Sequence, residues 1–148
     1  MIERNESKRV LRGYVAAVQA GDKDAIRQMF AEDATWTIHA GRLSISGTWS
    51  GRDAIIDEFL AEAMAHYERD SVSLEITGMI AERDQAVLQW TSRARTRAGR
   101  PYENGCIGVF TIRDGRIQEV REYMDTLYAS EVAFTASVGS RTAIAKER

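Results

Sequence analysis

"GVFTIRDGRIQEVREYMDTLYA" occupies residues 108–129 and contains the strongest turn signal of the sequence, Asp114-Gly115. Apolar and polar residues alternate on both sides of this dipeptide, which is typical of two antiparallel β-strands joined by a tight hairpin. The pattern predicts strands over 102–113 and 116–124.

Two more strands are predicted upstream of this hairpin, near 71–80 and 85–97, because the hydrophobic period there is also two. The segments "ERD" and "RAGRP" supply the turns between them. The result is a run of four antiparallel strands. After the last strand, Asp125 or Thr126 can cap a short helix that extends to about Phe134.

The beginning of the chain has helical spacing of its apolar residues. Residues 5–20 are predicted to form an amphipathic helix that ends at Gly21. A second, short helix is capped by Asp22 or Asp24. The apolar face of this second helix consists of Ile26, Met29 and Phe30.

A strand, a loop and a third helix complete the first half. "ATWTIH" (34–39) alternates and is rich in β-branched and aromatic residues, so it is predicted to be a strand. Residues 40–50 favour a loop with room for a short strand. Ser50 and Asp53 have the form of a capping box for a helix that ends near His66.

This order of elements predicts one α+β domain over residues 1–135, followed by a polar C-terminal tail at 136–148. Helices on one face of a strongly curved, mixed or antiparallel sheet give a cone-shaped structure in which the sheet wraps around the N-terminal helices. Such a cone leaves a cavity suited to a small molecule.

Composition excludes several classes of protein. The chain has 148 residues and a net charge of −2, which gives no electrostatic basis for binding nucleic acid or an anionic membrane. Its single cysteine, Cys106, fits a reducing compartment. No apolar run reaches the length of a membrane span, and the charged start "MIERNESKRV" is unlike a secretory signal. We therefore expect a cytoplasmic protein.

Three segments resemble the nuclear transport factor 2-like superfamily. "YVAAVQAGDKDAIRQMFAEDATW" (14–36) resembles the start of ketosteroid isomerases. "SGTWSGRDAIIDEFL" (46–60) and the segment 108–129 resemble SnoaL-like polyketide cyclases and relatives of limonene-epoxide hydrolase. The resemblance implies the cone-shaped, cystatin-like α+β barrel of that superfamily. The fold itself supports isomerases, hydrolases, cyclases and non-catalytic binders.

The isomerase pattern is incomplete in this chain. The phenol that holds the enolate oxygen falls on Tyr14, which is present. The general base falls on Ile38, and the second oxyanion donor, a carboxylic acid, falls on Gly108. Neither residue can exchange a proton, so the resemblance does not imply ketosteroid isomerisation by that route.

The hydrolase and cyclase patterns point to Glu122. In the epoxide-hydrolase pattern, the Arg-x-Asp pair falls on Gln89 and Thr91, which breaks the water-activating triad, while the last-strand carboxylate falls on Glu122. SnoaL-like cyclases use a carboxylate at this last-strand position as acid/base with polar helpers at the pair. The resemblance therefore implies Glu122 as the catalytic residue.

The register implied by the resemblance also assigns the two faces of the sheet. The residues expected to point inward from the strands are Gln89, Thr91, Arg93, Asn104, Cys106, Gly108 and Glu122. The full substrate-binding set expected beside Glu122 is Tyr14, Trp36, Ile38, Gln89, Thr91, Arg93, Asn104, Cys106, Gly108 and Met124. Leu88, Trp90, Ile107 and Val109 would form an apolar outer face, which predicts a homodimer through that face.

Alternatives remain for the polar and aromatic candidates. Glu122 is either an acid/base whose pKa rises by desolvation or a structural carboxylate paired with Arg93. Arg93 either binds an anionic ligand group or lies on a solvated strand. Tyr14 either donates to a ligand oxygen or fills the core, and Trp36 and Trp49 either line the cavity or fill the core.

The two histidines have no metal-site spacing, and we expect neither a metal nor a cofactor. His39 follows the position of the missing base and is a possible substitute for it, whereas His66 suits a helix C-terminus. Two functions follow. One is a cofactor-free isomerase, cyclase or hydrolase acting on a small apolar molecule through Glu122. The other is a non-catalytic ligand-binding or dimerising protein of the same fold.

Overall fold

The computed structural model of the chain describes residues 5–39 and 41–134. The predicted tail at 136–148 lies outside the described residues. None of the described helices is long and apolar enough to cross a membrane.

The helices are α1 (Glu6–Ala20), α2 (Lys23–Met29), α3 (Arg52–Ala54), a π-helical segment (Ile55–Phe59), α4 (Leu60–Ala65) and α5 (Thr126–Val132). The strands are β1 (Phe30–Ile38), β2 (Gly47–Ser50), β3 (Ser73–Glu82), β4 (Gln85–Arg95), β5 (Pro101–Arg113) and β6 (Arg116–Met124).

The predicted boundaries of the first two helices are largely confirmed. Asn5 caps α1 by accepting a hydrogen bond from the Lys8 amide at 3.1 Å. Gly21 ends the helix in the left-handed conformation, with φ of 68°. Asp22 caps α2 through the Ala25 amide. The prediction that Phe30 belongs to the second helix is wrong, because the backbone is already extended there and β1 begins at this residue.

The predicted third helix corresponds to α3, the π-helical segment and α4, which follow one another without a break and are together called the third helix. The capping box predicted for Ser50 and Asp53 does not form. The N-cap residue is Gly51, one position after Ser50, and glycine has no side chain that could accept a capping hydrogen bond. Within the π-helical segment, Ile55, Ile56 and Phe59 are all buried. A π-turn widens the helix by one residue and often marks a functional region. Here it directs Phe59 toward the hollow face of the sheet, where its ring lies 4.9 Å from that of Trp36.

Within the described residues, six strands form one open sheet in the order β2-β1-β6-β5-β4-β3. All neighbouring pairs are antiparallel except β1 and β6, which are parallel. The α+β class with a mixed sheet is therefore confirmed. The sequence pattern missed that β1 starts at Phe30 instead of residue 34, whereas the short strand for which the segment 40–50 has room is present as β2.

The hairpin at Asp114-Gly115 forms as predicted, but a β-bulge follows it. Both turn residues have positive φ, 53° and 75°, as a type I′ turn requires. Ile112 pairs with Ile117, whereas Thr111 pairs with Glu119, so Gln118 is an extra residue in β6. Beyond the bulge, Glu122 lies opposite Gly108 on β5 and beside Ile38 on β1. The bulge thus sets which side chains of β6 point inward.

Candidate functional site

A cavity of about 110 Å³ lies between α1, the third helix and the concave face of the sheet. Its wall is largely aromatic and aliphatic, with Tyr14, Trp36, Phe59, Leu88 and Trp90 among the lining residues. Glu122 contributes a carboxyl group to this apolar surface. A carboxyl in such surroundings has lost most of its hydration, which disfavours its charged form.

Glu122 is 8% exposed and accepts a hydrogen bond from Trp36 Nε1 to its Oε1 at 3.0 Å. Burial raises the pKa of Glu122 to about 7, although the bond from Trp36 acts in the opposite direction. Within the described part of the chain, no basic side chain pairs with this carboxyl. At neutral pH the acid and the carboxylate are therefore both populated, which suits proton transfer in either direction.

The alternative in which Arg93 pairs with Glu122 is wrong. Arg93 borders the cavity, but its guanidinium is directed to the outer surface, where it contacts Glu75 at 2.7 Å and Glu103 at 3.2 Å. The side chains of Arg93, Glu75 and Glu103, which form these two ion pairs, are all well exposed. Arg93 is therefore part of a solvated surface network, and it is not placed to hold an anionic group inside the cavity.

Tyr14 projects from α1 into the cavity and is buried. Its ring lies about 6 Å from those of Trp36 and Phe110. Burial, and to a smaller extent the negative charge of Glu122, raise the pKa of Tyr14 far above its ordinary value. Its hydroxyl consequently stays protonated and can donate a hydrogen bond to a bound oxygen atom.

Cys106 lines the cavity from β5. Burial raises the pKa of its thiol to about 12, with a smaller contribution from the charge of Glu122. The sulfur lies 3.8 Å from Ser92 Oγ, and that hydroxyl accepts a hydrogen bond from Trp90 Nε1 at 2.9 Å. Cys106 is therefore a neutral, weakly polar part of the wall instead of a nucleophile.

Asn104 has a structural role that the sequence did not indicate. Its Nδ2 donates to the Tyr102 hydroxyl at 2.9 Å and to the Asp125 carbonyl at 3.1 Å. The side chain thus ties β5 to the start of α5. Tyr102 in turn interacts with Tyr67, and burial raises the pKa of Tyr102 to about 12. Tyr67 and Tyr102 both line the cavity, whereas Asn104 is buried outside its wall.

The predicted orientation of β4 is wrong. Leu88 pairs with Gly108 and Trp90 pairs with Cys106, so Leu88 and Trp90 face inward and are buried. Gln89 is exposed and Thr91 is half-buried on the opposite face, so neither is placed to bind a cavity ligand. Leu88 and Trp90 therefore do not belong to the outer face of the sheet, although Ile80, Ile107 and Tyr123 are exposed there. The homodimer through this face stays a prediction.

Two other candidates lie near Glu122 but outside the cavity wall. Ile38 is 2% exposed and packs in the core. Gly108 is covered by neighbouring rings, since a Cβ there would lie 2.6 Å from Phe110 Cε1 and 3.3 Å from Trp90 Cζ3. The remaining candidates, Tyr14, Trp36, Cys106 and Met124, line the cavity together with Glu122.

Neither histidine takes part in the cavity. His39 is exposed, and its ring stacks on Tyr123 at 5.5 Å, so it does not replace the missing base. His66 Nε2 lies 3.1 Å from Ser44 Oγ and 3.2 Å from Glu62 Oε2. Because serine and carboxylate share one ring nitrogen, the arrangement is not that of a catalytic triad, in which they occupy opposite nitrogens.

Replacing Trp36 with phenylalanine is expected to raise the pKa of Glu122 further. The variant keeps most of the aromatic packing but loses the donor that stabilises the carboxylate. Carboxyl ¹³C chemical shifts followed against pH would measure the change. Trp90→Phe is the matched control, because Trp90 also lines the cavity but donates to Ser92. An unchanged or lower pKa in Trp36→Phe would contradict the role assigned to this hydrogen bond.

Comparison with known proteins identifies the family. The family model described as a SnoaL-like domain matches residues 11–120. A search of curated proteins gave no significant match. An NTF2-like protein of unknown function from Burkholderia pseudomallei K96243 is 22% identical, with a TM-score of 0.79 over 89% of this chain and 99% of that one. Bal32a, from a soil-derived mobile gene cassette, is 26% identical, with a TM-score of 0.74 over 84% and 92%.

A third similar structure was determined with a small molecule. TerC, co-crystallised with polyporic acid, is 21% identical, with a TM-score of 0.77 over 86% of this chain and 98% of that one. The family match covers most of the chain, and the structural matches share the NTF2-like fold. The chain therefore belongs to the SnoaL-like domain family and has an NTF2-like fold.

Proposed function

We propose that the protein is a cofactor-independent acid/base enzyme that acts on a small, largely apolar molecule. The carboxyl group of Glu122 transfers the proton. The observation that carries this proposal is the burial of that carboxyl in an apolar cavity, with a pKa of about 7 and no basic partner among the described residues. A carboxyl placed only for stability is normally paired or exposed, because an unpaired buried charge is costly.

The cavity restricts the substrate. A volume of about 110 Å³ is close to that of apolar cavities that hold a single benzene-sized ring, which are about 150 Å³. Its apolar wall favours a carbon ring that carries few polar substituents. The substrate is therefore a small molecule whose reacting part is about one six-membered ring.

Removal of a proton next to a carbonyl group is the reaction that these residues support best. The Glu122 carboxylate accepts the proton from carbon, and the negative charge moves to the carbonyl oxygen. The protonated Tyr14 hydroxyl, which lines the same cavity, donates a hydrogen bond to that oxygen. Glu122 then returns the proton to the same or a neighbouring carbon, so no cofactor is consumed. An isomerisation or a ring closure can follow from the same enolate.

Hydrogen–deuterium exchange tests the proposal without knowledge of the natural substrate. In D₂O the protein should accelerate the exchange of C–H hydrogen for deuterium next to the carbonyl of 2-cyclohexenone or cyclopentanone. Proton NMR measures the rate of this exchange. Since the carboxylate is the base, the exchange kcat/KM should increase with pH and level off above a pKa of about 7. Buffer and heat-denatured protein at each pH are the controls. A rate that follows the heat-denatured control at every pH would contradict the proposal.

A non-catalytic ligand-binding protein is the second candidate. The specific observation that favours it is that Ile38 and Gly108, the two strand neighbours of Glu122, replace the carboxyl groups of the isomerase pattern. In that case the same ketones would bind, and increase the melting temperature of the protein, without any exchange above the background rate.

A further inference from the structure

A second, larger recess adjoins the cavity that contains Glu122. We call the first the inner cavity and the second the outer recess, which has a volume of about 450 Å³ and is lined by the end of α1, by α4 and by residues 67–74. The two spaces share part of their walls. The shared residues are Val18, Met64, Tyr67, Val72 and Leu74.

The two spaces differ in chemistry. The outer recess is lined by Glu68, Arg69, Asp70 and Arg97, two acids and two bases whose formal charges cancel. Some of this polar rim is held in place. Arg97 Nε donates to the Ala65 carbonyl at 2.6 Å, and Gln19 Oε1 accepts from the Leu74 amide at 2.9 Å. The outer recess therefore suits an uncharged polar group, whereas the inner cavity suits a hydrocarbon.

Met64 is the movable part of the wall between them. It lines the inner cavity, the outer recess and a third recess of about 210 Å³ near Ile26 and Ile56. Val18 lines the same three spaces, but it is β-branched and stiff. Met64 is 36% exposed, and its unbranched thioether chain adapts its shape easily. A change at Met64 therefore changes the size of the inner cavity more readily than a change at Val18.

We propose that the ligand is bipartite and that Met64 determines the size of its inner part. This inference rests on the proposed small-molecule site. An apolar head of about one six-membered ring contacts Glu122 in the inner cavity, and an uncharged polar tail lies in the outer recess. Met64 closes over the junction and excludes a larger head.

Ligand titrations followed by tryptophan fluorescence test the size limit, because Trp36 and Trp90 line the inner cavity. The probes are 3-phenylpropan-1-ol and 3-(2-naphthyl)propan-1-ol, which differ only in the head. The wild type should bind the phenyl probe more tightly. Met64→Ala should strengthen binding of the naphthyl probe at least about tenfold and change binding of the phenyl probe less than about threefold. Met79→Ala, a methionine of β3 outside all three spaces, should change neither.

A third probe, butylbenzene, tests the polar tail, because it replaces the hydroxyl of 3-phenylpropan-1-ol with a methyl group. The alcohol should bind at least as tightly as butylbenzene. An equal response of the naphthyl and phenyl probes to Met64→Ala, tighter binding of butylbenzene than of the alcohol, or no binding of any probe would overturn the inference. These measurements detect binding alone, so they can fail or succeed independently of proton exchange through Glu122.

Discussion

Replacement of Glu122 with glutamine is expected to lower the rate of proton exchange about 10²- to 10⁴-fold, to near the background rate. The amide has nearly the shape of the carboxylic acid and can still accept the hydrogen bond from Trp36 Nε1. It cannot take a proton from carbon. The ketone exchange assay measures this loss, and because the shape is preserved the loss would report chemistry and not a damaged cavity.

The same substitution is expected to stabilise the protein at alkaline pH. The folded-state pKa of Glu122 is raised from 4.5 to about 7, so the folded protein binds the proton more tightly than the unfolded chain does. The wild type therefore loses stability as the pH increases between about 4.5 and 7, by a total of about 3 kcal/mol. Glu122→Gln should match the wild type near pH 4 and exceed it by about this amount at pH 8, as measured by urea unfolding.

Glu119→Gln is the matched control for both measurements. Glu119 lies on the same strand but on the outer face, where Thr111 Oγ1 donates to its carboxylate at 3.4 Å. This variant should keep the exchange activity and lack the alkaline gain. Full activity in Glu122→Gln would remove Glu122 from the reaction, and parallel pH–stability curves for wild type and variant would show that its carboxyl titrates normally.

Replacement of Gly108 with alanine is expected to destabilise the protein by about 3 kcal/mol, at the upper end of the usual cost of overpacking. The added Cβ would meet Phe110 Cε1 at 2.6 Å and Trp90 Cζ3 at 3.3 Å. Phe110 is fully buried and Trp90 is 8% exposed, so neither ring can move aside freely. The free energy of unfolding from urea titration gives the size of the effect.

Gly105→Ala is the control for the loss of a glycine in the same strand. A Cβ at Gly105 would have no neighbour within 4 Å, and the residue is exposed on the opposite face. Its replacement should leave the stability unchanged or slightly higher, because alanine restricts the unfolded chain. A similar loss of stability in both variants would mean that the close contacts at Gly108 are not the cause.

The resemblance placed Glu122 correctly but misplaced Gln89 and Thr91. Directly opposite residues of an antiparallel pair share a face, and the loop between the strands determines which residues are opposite. Arg95 pairs with Pro101, so five residues form the loop and odd-numbered residues of β4 face odd-numbered residues of β5. The prediction combined odd residues of β4 with even residues of β5, which would need a loop with an even number of residues.

The extent of the cavity could not be predicted from the sequence, because it depends on how large side chains pack. Ile38 and Gly108 both adjoin Glu122 in the sheet. Gly108 has no access to the cavity because the rings of Phe110 and Trp90 lie over it, and Ile38 is buried in the core. Pairing of strands follows from turns and alternation, whereas the course of a cavity wall follows from side-chain volumes and rotamers.

The extra residue in β6 affects how this chain should be aligned with its relatives. Glu122 is the seventh residue after Gly115, because Gln118 is an extra residue in β6. In a relative whose last strand lacks this extra residue, the equivalent inward position is the sixth residue after the turn glycine. An ungapped alignment with such a relative would equate its inward carboxylate with Arg121. One gap between residues 117 and 119 restores the match to Glu122, so homologues that seem to lack this acid in a gapless comparison can still possess it.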